Sequence, residues 1–394
     1  MTPIRLIFLV LGMALGSYLP FSAVIQSGKG FDPIGIGMVG AVGAMLAVVA
    51  APVWGHLGDV ALGRRRVLQL AGAGAAVALI VYGFAGGTLV LAALWVTAGL
   101  FASTTNPTAD AVAVVVVRQV PGGSFARLRV LLSFGFGATA IAVGVLYDRA
   151  GYGAAPFVAA GAFILLAVMA ASIGDPPRDA AMRVSAGRRG GATSAAFAAQ
   201  PRLPLVLLTF GLGMMGMIAA FSWLPLRIAE LGGSPADVAL AAGLESFAEV
   251  PAFIVAGLVA TRIGLRALYA MSAVLMGACV LTLALLSDPA LMIAVRLLNG
   301  VAYAGITVAS VSALGVLLPA SLQSTGQGLS AMTGSVVSVL LGAVGGTIYQ
   351  VAGAPALFGV TGVLTLVAAV LAWFVLPARA PADDARVRPG ASSG

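Results

Sequence analysis

The chain has 394 residues, of which 60% are hydrophobic and only 9% charged, too few charges to cover a soluble protein of this length. Its 21 basic and 13 acidic residues give a formal charge of +8, but the basic residues are sorted by topology rather than massed in a patch, which excludes a nucleic-acid reading. Cys279 is the sole cysteine, which excludes an intramolecular disulfide and a cysteine metal site.

Twelve membrane-spanning helices are predicted, at residues 3–26, 34–55, 67–85, 88–117, 127–148, 153–173, 203–228, 237–261, 266–286, 289–318, 323–350 and 354–376. Apolar runs such as 4–25 satisfy the ~20 residues needed to cross ~30 Å of hydrocarbon. The absence of period-2 alternation selects helices over a barrel. The first span reads as a retained helix, because no small-residue cleavage site follows it. Breakers separate the spans: Gly28 to Pro33, Pro121-Gly-Gly, Gly232-Gly-Ser-Pro and Ser287-Asp-Pro. With the N-terminus in the cytoplasm, 17 of the 21 basic residues fall on the cytoplasmic side. Lys29, Arg149 and Arg227 fall outside, and Arg296 lies within a span. This positive-inside pattern places both termini in the cytoplasm of a multi-pass protein of the bacterial inner membrane.

Residues 1–173 form one predicted six-helix bundle and 203–376 a second. A polar, Arg/Gly/Ser-rich cytoplasmic linker at 174–202 joins them, and 377–394 is an expected disordered tail. An internal repeat supports two halves. At an offset of 202, Pro33 matches Pro235, Gly55 matches Gly257, Ser133 matches Ser335, Gly144 matches Gly346, Tyr147 matches Tyr349, and Gly151 matches Gly353. Glycines on the second helix (Gly35, Gly40, Gly43) and the eleventh (Gly342, Gly346) read as packing faces.

Four ionisable residues lie well within spans: Asp110, Glu245, Glu249 and Arg296. Each is costly in hydrocarbon, so a functional role is the default reading. Glu245 and Glu249 are four apart and share a helix face. Glu249 lies about 18 Å from residue 237 along the helix, near the midplane. A desolvated carboxylate there suits a proton carrier, although a static pair with Arg296 is the plainer alternative. Arg296, Asn299 and Tyr303 line one face of the tenth helix. Ser103, Asn106 and Asp110 repeat that spacing on the fourth, so two matching polar stripes are expected to face a shared cavity. Arg296 neutralises Glu245 or Glu249, or binds an anionic solute group. Asp110 is expected to pair with Arg127 or Arg129. Trp223 and Phe221 either stack on a substrate or pack, and His56, the lone histidine, ends the second helix.

The stretch Gly55-His-Leu-Gly-Asp59-Val-Ala-Leu-Gly63-Arg64-Arg65-Arg66 resembles the signature loop between helices 2 and 3 of the major facilitator superfamily. Gly55 permits close helix packing there, and Asp59 pairs with a guanidinium at a helix N-terminus. One extra residue lies between Asp59 and Gly63, Val60 replaces the usual basic residue, and the second-half equivalent at 257–264 lacks the acid. Asn106-Pro-Thr-Ala-Asp110, followed by Phe125-Ala-Arg127-Leu-Arg129-Val-Leu-Leu-Ser133-Phe-Gly-Phe136, resembles the phenylpropionate and nucleoside proton-symporter group and the related galactoside permeases. Trp223-Leu-Pro-Leu, Gly233-Ser-Pro, Glu249-Val-Pro251 and Gln327-Gly328 agree with it.

This resemblance implies an all-α membrane protein, with twelve helices in two pseudo-symmetric bundles. It further implies secondary active transport of a small organic solute by alternating access, with proton symport ahead of proton-coupled efflux antiport. A non-transporting sensor or assembly factor is the alternative of another class. Helix 5 lacks the proline of the efflux motif, and the permease-like histidine and acid beside Asn299 are absent. No enzymatic constellation, cofactor or metal is expected, and Gly35-Ile-Gly-Met-Val-Gly40 lies inside a span. The expected partners are a small-molecule substrate, protons and lipid, with the chain acting as a monomer. Gly55, Asp59, Gly63, Arg64, Arg65, Arg127 and Arg129 would gate, while the second half carries the charge chemistry.

Overall fold

The computed structural model describes residues 2–119, 124–174 and 189–378, all of them helix or short connections. We number the spans α1–α12. The first, α1, runs Thr2–Gly16, breaks into a 3-10 turn at Leu19–Phe21 and resumes at Ser22–Gly28. Pro20 causes the break, since it lacks a backbone N–H. Then follow α2 (Pro33–His56), α3 (Arg64–Phe84), α4 (Thr88–Gln119), α5 (Phe125–Ala150) and α6 (Ala155–Ala170). The second set is α7 (Leu203–Glu230), α8 (Pro235–Ile263), α9 (Leu265–Leu285) and α10 (Pro289–Leu317). A continuous run, Gln323–Val375, is divided by Gly353, whose φ of 80° is not helical, into α11 (323–352) and α12 (354–375).

Among the described residues, eleven uninterrupted segments are long and apolar enough to cross a membrane. The break at Gly353 makes them twelve spans. The breaker Pro121-Gly-Gly and residues 379–394 of the tail lie outside the described residues.

Part of the predicted linker is helical. Arg189–Ala199 forms a connecting helix with Ala196 fully buried and Phe197 packed on the core. It rests on α7, α11 and the turn Ala320–Leu322. The sequence hid it because an 11-residue helix is marginal alone even when Ala-rich, and two glycines, Thr193 and Ser194 weaken it further, so packing supplies the rest.

The repeat is written into the backbone. Among the described residues, six of the seven glycines with positive φ fall in pairs 201 or 202 residues apart: Gly30 with Gly232, Gly63 with Gly264, and Gly151 with Gly353. The helix starts correspond too. Asp32 caps α2 by accepting from the Gly35 N–H at 2.7 Å, and Ser234 with Asp237 forms a capping box on α8. Gly63 and Gly264 make the same turn before α3 and α9, with φ of 89° and 85°. Gly63→Ala and Gly264→Ala are therefore each expected to cost about 1–3 kcal/mol, read as a lowered unfolding temperature of the purified protein.

Helices α1–α6 pack on one another, as do α7–α12, and the two sets meet at two principal seams, α2 with α11 and α5 with α8. Both seams close at the end of the molecule away from the chain termini. A Cβ on Gly37 or Gly342 would overlap the other's carbonyl oxygen, and one on Gly346 would meet the carbonyl of Pro33. On the other seam Gly137 lies against Gly243 and Gly144 against Ala239. The Ile34 N–H donates to Gln350 Oε1 at 3.2 Å, and Ser246 Oγ donates to the Ser133 carbonyl at 3.1 Å. The expected packing face on α2 needs correction. Gly37 makes the close approach, whereas Gly40, Gly43 and Gly55 border open space. A glycine pattern marks where a helix can be approached closely, and the rotation of the helix decides which positions are used.

Candidate functional site

Towards the end carrying the termini the two halves part. Between α2, α4 and α11 they leave a cavity of about 510 Å³, bordered by Trp54, Gly55, Asp59, Arg64, Ser103 and Ser335. A second lobe of about 330 Å³ lies between α7, α10 and α11. Ala331 of α11 borders both. Beside Arg296 a void of about 10 Å³ lies among Pro20, Phe221 and Ala242. At the far end the glycine seams bring the halves into backbone contact.

The deepest charges are paired. Arg296 Nη2 donates to Glu245 Oε2, and the two residues are 2% and 6% exposed. The sequence left Arg296 a choice of Glu245 or Glu249. The structure gives it Glu245, whose backbone also packs against Gly300 of α10. Arg296 Nη1 and both amide atoms of Asn299 are buried with no hydrogen-bond partner among the described residues. Glu249 sits one turn nearer the open end and is only half-buried. Among the described residues, no cation lies within 4 Å of its carboxylate. Glu245, Arg296, Arg129 and the Tyr303 hydroxyl are within its electrostatic reach. The Tyr303 ring stands edge-on to Phe253 with centroids 6.0 Å apart.

In the first half, Arg129 of α5 bridges to α4. Its Nη1 donates to Asn106 Oδ1 at 3.1 Å and lies 3.5 Å from Asp110 Oδ2. Arg127, the other arginine proposed for Asp110, is exposed. Residues two apart on a helix point to nearly opposite sides, so only one of the two can reach α4. Which one depends on the phase of α5.

At the mouth of the cavity, residues 57–61 form a π turn closed by Leu62 N–H to the Leu57 carbonyl at 2.7 Å. Such a turn accommodates one residue more than an α-helical turn, which accounts for the extra residue between Asp59 and Gly63. Asp59 accepts from Arg64 Nε at 3.0 Å, and Arg64 Nη1 donates to the Ala111 carbonyl at 3.0 Å. The loop thus ties α2, α3 and α4 within one half. Arg65 follows in the first turn of α3, and His56 is exposed at the end of α2.

Trp223 is 2% exposed and stacks on Tyr349 at 5.2 Å between ring centroids. It borders neither lobe, whereas Tyr303 borders the smaller one. Sequence reasoning missed Phe210, Met214, Met217 and Gln327 of that lobe. Met and Phe in an apolar helix carry no signal that separates lining from packing.

The profile of a family described as "MFS_1 like family" matches residues 2–360 of the chain. None of the curated proteins compared matches it. Among solved structures, a variant of the nucleoside transporter NupG is similar with a TM-score of 0.76 at 13% identity, over 95% of this chain and 99% of the other. NupG itself gives 0.74 at 14% identity, over 95% and 98%. A D-xylose-proton symporter gives 0.73 at 11% identity, over 96% and 98%. At such identities the likeness is one of fold.

Proposed function

The chain belongs to the MFS_1-like family of major facilitator secondary transporters, and from that premise we propose that it moves a small organic solute across the bacterial cytoplasmic membrane by proton-coupled alternating access. The halves 1–173 and 203–376 rock about the central cavity, joined by the 174–202 connection. With both termini in the cytoplasm, as the basic residues require, the closed glycine seams are the outer gate. The two lobes then open inward. Asp59, Arg64 and the Arg129–Asp110 pair hold the inner ends of the first half in shape, and the chain acts as a monomer.

One observation supports proton coupling above the rest. Arg296 and Arg129 lie among three carboxylates inside the membrane, Asp110, Glu245 and Glu249, and among the described residues Glu249 is the one without an ion partner. An uncompensated negative charge at the midplane is costly while the site is closed to water, and a proton removes the cost. Glu249 therefore has to be neutralised whenever the transporter reorients. Symport, the sense that the sequence resemblance favours, follows if the solute leaves room for that proton. Exchange follows if the solute itself neutralises the carboxylate.

The test is uptake into proteoliposomes under an imposed pH gradient. Glu249→Gln, neutral at every pH, is expected to keep downhill solute flux and to lose all accumulation driven by the gradient. Gradient-driven accumulation surviving in Glu249→Gln would overturn proton coupling through this residue.

A further inference from the structure

We infer, resting on this reading of Glu249, that the solute is an organic cation with an apolar body, its positive group set against Glu249 and its body in the α7–α10–α11 lobe. The charges inside the membrane narrow the choice first. An anionic solute would need a free guanidinium, but Arg296 is committed to Glu245 in a sealed pair. Arg129 is shared by Asp110 and Asn106. Among the described charges inside the membrane, Glu249 is the one left without an ion partner. The groups facing it are Glu245 on its own helix, Arg296 and Tyr303 on α10, and Arg129 on α5.

The lining of the lobe narrows it further. Phe210, Met214, Met217, Ile306 and Val311 make its wall together with Tyr303, and Tyr303 links it to Glu249, since its ring meets Phe253, one turn beyond Glu249 on α8. Two of its polar side chains are spent on backbone carbonyls. Ser310 Oγ donates to the Ile306 carbonyl at 2.7 Å, and Gln327 Nε2 donates to the Val311 carbonyl at 3.1 Å. Such a wall offers little to a polyhydroxylated solute. Aromatic faces and polarisable thioethers do suit a cation and the carbons that carry it. The volume, about 330 Å³, is at the lower end of small-molecule sites. It suits one ring and its substituents.

A consequence for coupling follows. A proton and an organic cation would neutralise the same carboxylate, so Glu249 holds one or the other. That mutual exclusion is the requirement of exchange, opposite in sense to the symport favoured by the sequence resemblance.

The test uses the full-length purified protein and three probes of one ring: benzyltrimethylammonium, neutral benzyl alcohol and anionic phenylacetate. Calorimetry in two buffers of different ionisation enthalpy reads binding and the protons released. Benzyltrimethylammonium is expected to bind with proton release, and more tightly than either comparator. Glu249→Gln should weaken it about tenfold or more and abolish the release. Glu249→Asp keeps the charge and should retain both. Met214→Ala should weaken binding about threefold and leave proton release unchanged. Absence of cation binding at millimolar concentration, equal binding of the alcohol or the carboxylate, or cation binding indifferent to Glu249→Gln would each overturn the inference. Gradient-driven uptake of another solute that still depends on Glu249 would then leave proton coupling standing. Uptake indifferent to Glu249 would remove both.

Discussion

Arg296→Met is expected to destabilise the protein by about 3–5 kcal/mol, because it strands the Glu245 carboxylate in a sealed site. Glu245 is 6% exposed, and Arg296 is its ion-pair partner among the described residues. The doubly substituted Glu245→Met, Arg296→Met protein should recover most of the loss, since a buried pair replaced by apolar side chains of similar volume is often neutral or stabilising. Thermal unfolding of the single and double variants in detergent forms the cycle. A double variant no more stable than Arg296→Met would show that the cost lies in lost packing rather than in a stranded charge. Uptake by the double variant separates two roles. If the pair only clamps α8 to α10 beneath Glu249, transport survives once stability is restored. If Arg296 also tunes the site through the neighbouring Asn299, transport falls although the fold returns.

Gly342→Leu should prevent the end away from the termini from closing. The added side chain would overlap the carbonyl of Gly37 and the backbone of Ala41. Overpacking of this kind costs about 1–3 kcal/mol and occasionally more. Since each 1.4 kcal/mol is a factor of about ten in an equilibrium, the closed conformer should fall about 5-fold to about 100-fold in weight. Spin labels on cysteines introduced at Ser27 and Val351, both exposed at that end, should report a longer separation, with Cys279 buried and silent. Solute flux should fall about as far as the closed population. Gly40→Leu on the facing helix α2 meets open space and should change neither readout. An unchanged label distance in Gly342→Leu would mean that the seam is not the gate.

Much of the architecture was legible in the chain itself. The span limits follow from hydropathy and from breakers, both local properties, and the break at Gly353 falls where the sequence separated the last two spans. The repeat offset was readable from matched residues and reappears as paired positive-φ glycines. The connecting helix was not legible, because its stability comes from burying Ala196 and Phe197 against helices remote in sequence. Nor was the π turn at 57–61. The extra residue before Gly63 was visible as a departure from the family loop, but not the backbone geometry that absorbs it.

The candidate site divides along the same line. That Asp110, Glu245, Glu249 and Arg296 lie inside the membrane was decided by the sequence, since a charge in an apolar run has nowhere else to be. Which of them pair was decided only by the tertiary structure. Arg129 rather than Arg127 meets Asp110, Glu245 rather than Glu249 takes Arg296, and Gly37 rather than Gly40 meets α11. Each choice depends on how far a helix is rotated about its axis. A soluble helix declares that rotation by its polar and apolar faces. These helices are apolar nearly all round because lipid and protein interior are alike to them, and so the phase that leaves Glu249 without an ion partner among the described residues is set by packing alone.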